Sequence, residues 1–259
     1  WNWFRYSSVV NKNISTTAAT SNDTRKLLIA HYSGVGDAYE ELLRVASVTS
    51  HAYAKKYNAD FLQMQGVGLG GFTPAHSCYN KIEILRRVLS LKEKYDIILI
   101  LDSDAIIFNL DLDFRDLIPP NMMLVAQRAN VSDAPETYII NNGVTLWNLK
   151  HPMTDTVVTE WHRRSVSAIR QKNVIRGFYQ VSDQDPLQAL LKEYSSEERK
   201  EMLLSVTHQF AFHSATVVKH LIRDKMHDWT GNQNKVRLDK LKALQKNICS
   251  KYKPLCENV

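Results

Sequence analysis

The chain has 259 residues, 44% of them hydrophobic and 23% charged, an ordinary balance for a soluble globular protein. No stretch approaches the roughly 18–20 consecutive apolar residues that cross a bilayer, which excludes a membrane-spanning helix within the chain. The net charge of +6 is uneven: Lys219 to Lys253 holds ten Lys/Arg against three Asp, and with no nucleic-acid motif beside it this excess gives no reason to infer DNA or RNA binding.

The opening Trp1-Asn-Trp-Phe-Arg5 has neither an initiator methionine nor a signal peptide, and reads as an artificial boundary or a processed end, so an upstream anchor could have been removed. Residues 7 to 24 are rich in Ser, Thr and Asn, a polar stem or linker. The expected organisation is therefore a stem over 1–25 and one α/β domain over 26–259, with a basic helical segment at its C-terminal end.

Arg25–His31 reads as the first strand, followed by the loop Tyr32–Asp37. Tyr39, Leu42, Leu43, Ala46 and Tyr53 fall near helical spacing, Asn58-Ala-Asp60 ends that helix, and Phe61-Leu62 starts a second strand. A glycine-rich loop, Gly66–Gly71, comes next. Ile82, Leu85, Val88, Leu89 and Leu91 then mark a second helix. Strand, helix, strand, loop, helix, strand argues for a parallel sheet with right-handed crossovers. Gly34-Val-Gly36 follows a strand but lacks the third glycine of a dinucleotide fingerprint, and no Walker pattern is present.

The most informative stretch is Tyr95–Phe108. Five aliphatic residues, Ile97–Leu101, run into Asp102 and Asp104. An uninterrupted β-branched run reads as a central strand covered on both faces, and the end of such a strand opens into the ligand crevice of α/β proteins. Two carboxylates there repel each other unless a cation neutralises them, which suits Mg²⁺ or Mn²⁺ and a diphosphate. The alternative is a strand-to-turn junction with capping aspartates. Asp111-Leu-Asp113 precedes Pro119-Pro120 in a loop and reads as solvated turn or cap residues.

Two further strands are expected at Met122–Ala126 and Val144–Trp147, the second just after Asn141-Asn142-Gly143. A long helix should follow Pro152, with others near Asp185–Lys192 and Ser195–Leu204, where Ser195-Ser-Glu-Glu198 has capping-box spacing. Val206–His213 alternates like a strand. Val236, Leu238, Leu241, Leu244 and Ile248 form a helical stripe opposite lysines, which packs on the domain or meets an anionic surface. Cys249 and Cys256 can pair in an oxidising compartment, leaving Cys78 free. The acceptor sequences at Asn13, Asn22 and Asn130 decide little.

Together these segments resemble a GT-A glycosyltransferase, most closely the galactosyl-, mannosyl- and xylosyltransferases of family 34. The resemblance covers about residues 27 to 225. It rests on Ile29-Ala-His-Tyr-Ser33, Tyr53–Phe61, Tyr79-Asn-Lys-Ile82, Leu101-Asp-Ser-Asp-Ala105, Asn141-Asn-Gly-Val144, Asp183-Gln184 and His213, where Ser214-Ala215 replaces the family's usual Gly-Cys.

It implies a GT-A fold, a central mostly parallel sheet flanked by helices, and a metal-dependent, retaining transfer from a UDP- or GDP-sugar to a glycan or glycoprotein hydroxyl. Asp102, Asp104 and His213 would hold Mn²⁺, with Mg²⁺ as the alternative ion. His31, Tyr32, Ser33, Asp102 and Ser103 would meet the nucleotide, and Lys81 a phosphate unless it is a helix-surface lysine. Asn142, Asp183 and Gln184 would face the reacting sugar, with Asp183 read alternatively as an N-cap. The lesser alternative for His213 is an interior histidine, and His208, less suitably placed mid-strand, is its rival as ligand. The implied compartment is the Golgi or another secretory lumen. A sugar-nucleotide pyrophosphorylase is the competing enzyme, disfavoured because His31–Gly36 carries no Arg or Lys; a non-catalytic carbohydrate-binding protein of the same fold is the competing class.

Overall fold

A computed structural model describes residues 5–9, 23–69, 74–129, 136–174, 182–210, 214–222 and 232–257. In chain order its elements are β1 (Arg5–Val9), β2 (Leu27–Ser33), α1 (Asp37–Tyr57), β3 (Asp60–Gln65), α2 (Asn80–Leu89), β4 (Ile97–Asp102), β5 (Ala105–Ile107), β6 (Leu124–Arg128) and β7 (Ile140–Asn148). They continue as α3 (Thr154–Val174), α4 (Gln184–Glu193), α5 (Ser196–Met202), β8 (Leu203–Val206), β9 (Val218–His220), α6 (Asn232–Lys251) and α7 (Lys253–Cys256).

The main sheet has the order β1-β3-β2-β4-β7-β6-β8. β2 lies parallel to β3 and β4, and β6 parallel to β8, while β7 runs antiparallel to both β4 and β6. Five strands, β2, β3, β4, β6 and β8, therefore share one direction, so the sheet is mostly parallel as expected. β1 adds an antiparallel edge to β3 from within the segment expected to be a polar stem.

Both faces of the central strands are covered, which is why they read as unbroken aliphatic runs. Ile97, Leu99 and Leu101 join a core formed with α1 and α6, whereas Ile98 and Ile100 face the core under α2, α3 and α4. All five are fully buried. Asn58 ends α1 in the left-handed conformation, at φ 49°, with its N–H on the Ala54 carbonyl. The capping box on α5 is present: Ser195 Oγ accepts from Glu198 N at 3.2 Å, and Glu198 Oε2 from Ser195 N at 2.7 Å.

Two expectations need correction. The strand read over Val206–His213 ends at Val206, and Thr207–Phe210 are bends. Alternation alone could not find its true start, because Leu203 and Leu204 lie side by side where α5 passes directly into β8. The second strand pair, β5 with β9, was not anticipated: each is three residues long, too short for a period to register.

On α6, Leu241 and Ile248 are buried and Leu238 and Leu244 partly so, which places the apolar stripe on the domain. Val236 stands exposed and Arg237 is buried in its stead. The Cys249–Cys256 disulfide ties α6 to α7. Among the described residues, no helix is long and apolar enough to cross a membrane.

Candidate functional site

The carboxyl ends of β2 and β4 and the amino end of β7 open into a cleft of about 610 Å³. Tyr32, Ser33, Lys81, Asp102, Ser103, Asp104, Asn142, Asp183 and Gln184 all line it. These expected residues, drawn from five separate parts of the chain, thus share one crevice at the end of the parallel strands, where α/β sheets bind ligands. His31 does not line it. That histidine is fully buried behind the wall, with Nε2 2.9 Å from the Asp102 carbonyl and Nδ1 3.2 Å from Ser50 Oγ. Burial pushes its pKa down to about 4, so it is a neutral strut under Asp102.

Asp102 ends β4 and Asp104 sits in the tight turn before β5. Antiparallel pairing sets Ala105 opposite His220 of β9, and this register brings the imidazole to the two carboxylates. His220 Nε2 lies 3.1 Å from Asp104 Oδ1 and 3.7 Å from Asp102 Oδ2. One ligand atom from each of Asp102, Asp104 and His220 falls within 4.8 Å of the others, a group able to hold a metal ion. His213 lies outside the described residues, and His208 is exposed. His220 and Arg237 are cleft residues that sequence reasoning missed, and the three-residue strand carrying His220 is too short to give a periodic signal.

The donor set fits a divalent ion. Two carboxylates supply hard oxygen donors and the imidazole a nitrogen donor, a set that divalent cations accept. His220 Nδ1 is buried without a hydrogen-bond partner, so the ring still has an uncommitted nitrogen. Gly143 abuts the same group. A Cβ there would come within 2.1 Å of His220 Cε1 and 2.7 Å of Asp102 Oδ2, so this first part of β7 needs glycine to admit the cluster.

Lys81 is not a helix-surface lysine. It is 2% exposed, with Nζ 2.9 Å from Asp183 Oδ2 and 3.2 Å from Asp102 Oδ1. Burial opposes its charge, but the two carboxylates outweigh that and hold its pKa above the usual lysine value. The Tyr32 hydroxyl also donates to Asp102. Asn142 Nδ2 donates to Asp183 Oδ2 at 2.6 Å, and Asn142 N donates to Gln184 Oε1 at 3.2 Å. Asp183 occupies the position before α4, yet its side chain makes no capping bond; it points at Lys81 and Asn142. The N-cap alternative is thereby set aside.

The charges around Asp102 and Asp104 differ. Burial raises the pKa of Asp102 despite the attraction of Lys81 and His220. Burial acts on Asp104 too, but the His220 and Arg237 charges outweigh it and hold that carboxyl well below the ordinary range. For His220, burial disfavours the cation, whereas Asp104 more than compensates and raises its pKa.

A second cleft, of about 510 Å³, opens at the opposite end of the sheet, near the starts of β2 and β3. Arg25, Lys94 and Arg115 on its wall are tied to Asp23, Asp60 and Asp113, so these cations are already neutralised.

No protein-family model and no curated protein sequence matches the chain. Solved structures do. One is a glycosyltransferase involved in glycosylation of the major capsid of PBCV-1, 13% identical, covering 84% of this chain and 99% of that one, with a TM-score of 0.55. Another is the glycosyltransferase GlyE of Streptococcus pneumoniae TIGR4, 15% identical, covering 89% of this chain and 64% of that longer one, with a TM-score of 0.50, or 0.51 in its apo form. At such identities the likeness shows the fold, which is the GT-A fold expected from the sequence.

Proposed function

We propose that the chain is a metal-dependent, retaining glycosyltransferase that moves a hexose or pentose from a nucleoside-diphosphate sugar to a hydroxyl of a glycan or glycoconjugate. One observation carries the reading: Asp102, Asp104 and His220 share a crevice with Lys81, Asn142, Asp183 and Gln184 at the carboxyl end of β4 in this fold. Mn²⁺, or Mg²⁺ in its place, would supply positive charge against the departing diphosphate.

The chain's own residues do the rest. Tyr32 and Lys81 fix the Asp102 carboxylate, and His31 fixes its backbone. Lys81 and Asn142 aim Asp183, which would orient the acceptor hydroxyl. Gln184 presents an amide to the sugar and would steady positive charge developing at the anomeric carbon without bonding to it. The acceptor oxygen bonds to that carbon as its bond to the diphosphate oxygen breaks on the same face. The hydroxyl proton passes to the departing oxygen, leaving a glycoside and a nucleoside diphosphate.

The order of the motifs favours family 34, with UDP-galactose, UDP-xylose and GDP-mannose as candidate donors. A Golgi or other secretory lumen is the proposed compartment, and the Cys249–Cys256 disulfide supports an oxidising one. The test is nucleotide release from a panel of UDP- and GDP-sugars, with Mn²⁺ and with EDTA, followed by the anomeric form of any product. Mn²⁺-dependent turnover of one donor is the expected result. Absence of both nucleotide release and Mn²⁺-dependent nucleotide binding with every donor would overturn the reading.

A further inference from the structure

Arg237 enters the cleft from α6, 133 positions along the chain from Asp104. It is 6% exposed, and its Nη2 donates to Asp104 Oδ2 at 2.6 Å. Nη1 donates to Asn234 Oδ1 at 3.2 Å, while Nε is buried with no partner. The other oxygen of Asp104 meets His220 Nε2 at 3.1 Å. Both oxygens of this carboxylate are thus engaged by groups of the chain itself. A divalent cation held by Asp102, Asp104 and His220 would share Asp104 with the guanidinium, and two like charges in a buried site disfavour each other.

We propose that Arg237 is a resident counter-cation of Asp104, which yields that carboxylate to the metal and then binds the donor's diphosphate. The inference rests on the transferase reading above. A guanidinium suits the exchange because its planar fork pairs with carboxylate or phosphate alike, and its unused Nε lies beside the nitrogen that Asp104 now holds. Helix α6 need not move: Leu241 and Ile248 anchor it in the core, and Arg237 already lines the cleft shared by Lys81 and Asp102. The exchange makes metal and diphosphate binding mutually reinforcing. Without nucleotide Arg237 competes with the metal, and with nucleotide it does not.

This predicts effects of opposite sign for one substitution. Wild-type protein, Arg237→Gln and Arg237→Lys are compared for binding of Mn²⁺ alone, read from the spin-resonance signal of the free ion. UDP and GDP binding at saturating Mn²⁺ is then read by calorimetry. Arg237→Gln should bind Mn²⁺ several-fold more tightly and the nucleoside diphosphate about tenfold more weakly. Arg237→Lys keeps the competing charge but loses the fork, so nucleotide affinity falls while Mn²⁺ affinity stays near wild type. Weaker or unchanged Mn²⁺ binding by a folded Arg237→Gln, or unchanged nucleotide affinity, overturns the proposal while leaving the transferase reading intact. If Arg237→Gln does not fold, Arg237→Lys decides: a fall in both affinities, or in neither, overturns it. Wild-type protein that binds neither Mn²⁺ nor UDP or GDP removes both readings together.

Discussion

His220 Nε2 lies 3.1 Å from Asp104 Oδ1 although 116 positions separate the two residues, because β9 pairs with β5 and sets His220 opposite Ala105. A three-residue strand pair therefore completes the cluster. His220→Ala should weaken binding of Mn²⁺ by at least about tenfold, a loss that even outer-shell partners of metal ligands can cause. Mn²⁺ titration of the variant decides, and an unchanged affinity would exclude His220 as a ligand.

Gly143→Ala places a methyl group 2.1 Å from His220 Cε1 and 2.7 Å from Asp102 Oδ2. Neither neighbour is a flexible chain end, so both must shift. We expect a stability loss of about 1–3 kcal/mol in urea unfolding and, more diagnostically, loss of Mn²⁺ binding by the folded variant. Retained Mn²⁺ affinity would show that this part of β7 does not abut the metal group.

Lys81→Met leaves the Asp102 and Asp183 carboxylates facing each other without their shared cation. Removing one member of a buried charge group costs roughly 3–5 kcal/mol, or a fall in Tm of about 5–15 °C at this chain length. Because the penalty arises from carboxylate repulsion, Lys81→Met with Asp183→Asn should recover part of it. A double variant no more stable than the single one would point to lost packing instead.

His31 is fully buried, with its pKa lowered to about 4 by burial. Below the unfolded value of about 6.5 the unfolded chain takes up a proton that the folded chain refuses, so stability falls as pH drops from about 6.5 to 4. The full difference is roughly 3 kcal/mol, complete below pH 4. His31→Gln should flatten that part of the stability–pH curve relative to wild type. Parallel curves from pH 7 to 4 would mean that His31 is protonated normally in the folded protein.

The Cys78 thiol is pushed far up by burial and by the Asp183 charge, so little thiolate forms at neutral pH. Native protein should react slowly with a disulfide reagent such as DTNB, at one thiol. Denaturation should make that thiol fast, and prior reduction should add the two thiols of Cys249 and Cys256. A fast native thiol at position 78 would contradict the raised pKa that its partly buried place beside Asp183 implies.

The sequence by itself determined the central strand and the position of the crevice. Ile97–Leu101 is aliphatic without interruption because both faces of β4 are covered, and that run ends on Asp102 wherever the rest of the chain goes. Asn58 and the Ser195–Glu198 box were legible for the same reason: caps and turns are local, set by residues within a few positions. Lys81 and His31 were legible as residues but not in their surroundings. Whether a lysine on a helix is exposed or buried between two carboxylates depends on partners 21 and 102 positions away.

Tertiary structure alone decided which histidine and which arginine reach the carboxylates. His220 and Arg237 arrive through a three-residue strand and through a helix whose apolar stripe pointed elsewhere, and neither carries a periodic signal. Side-chain period reports which face of an element is buried. Only the register of β5 against β9, and the seating of α6 on the core, place an imidazole and a guanidinium on the two oxygens of Asp104.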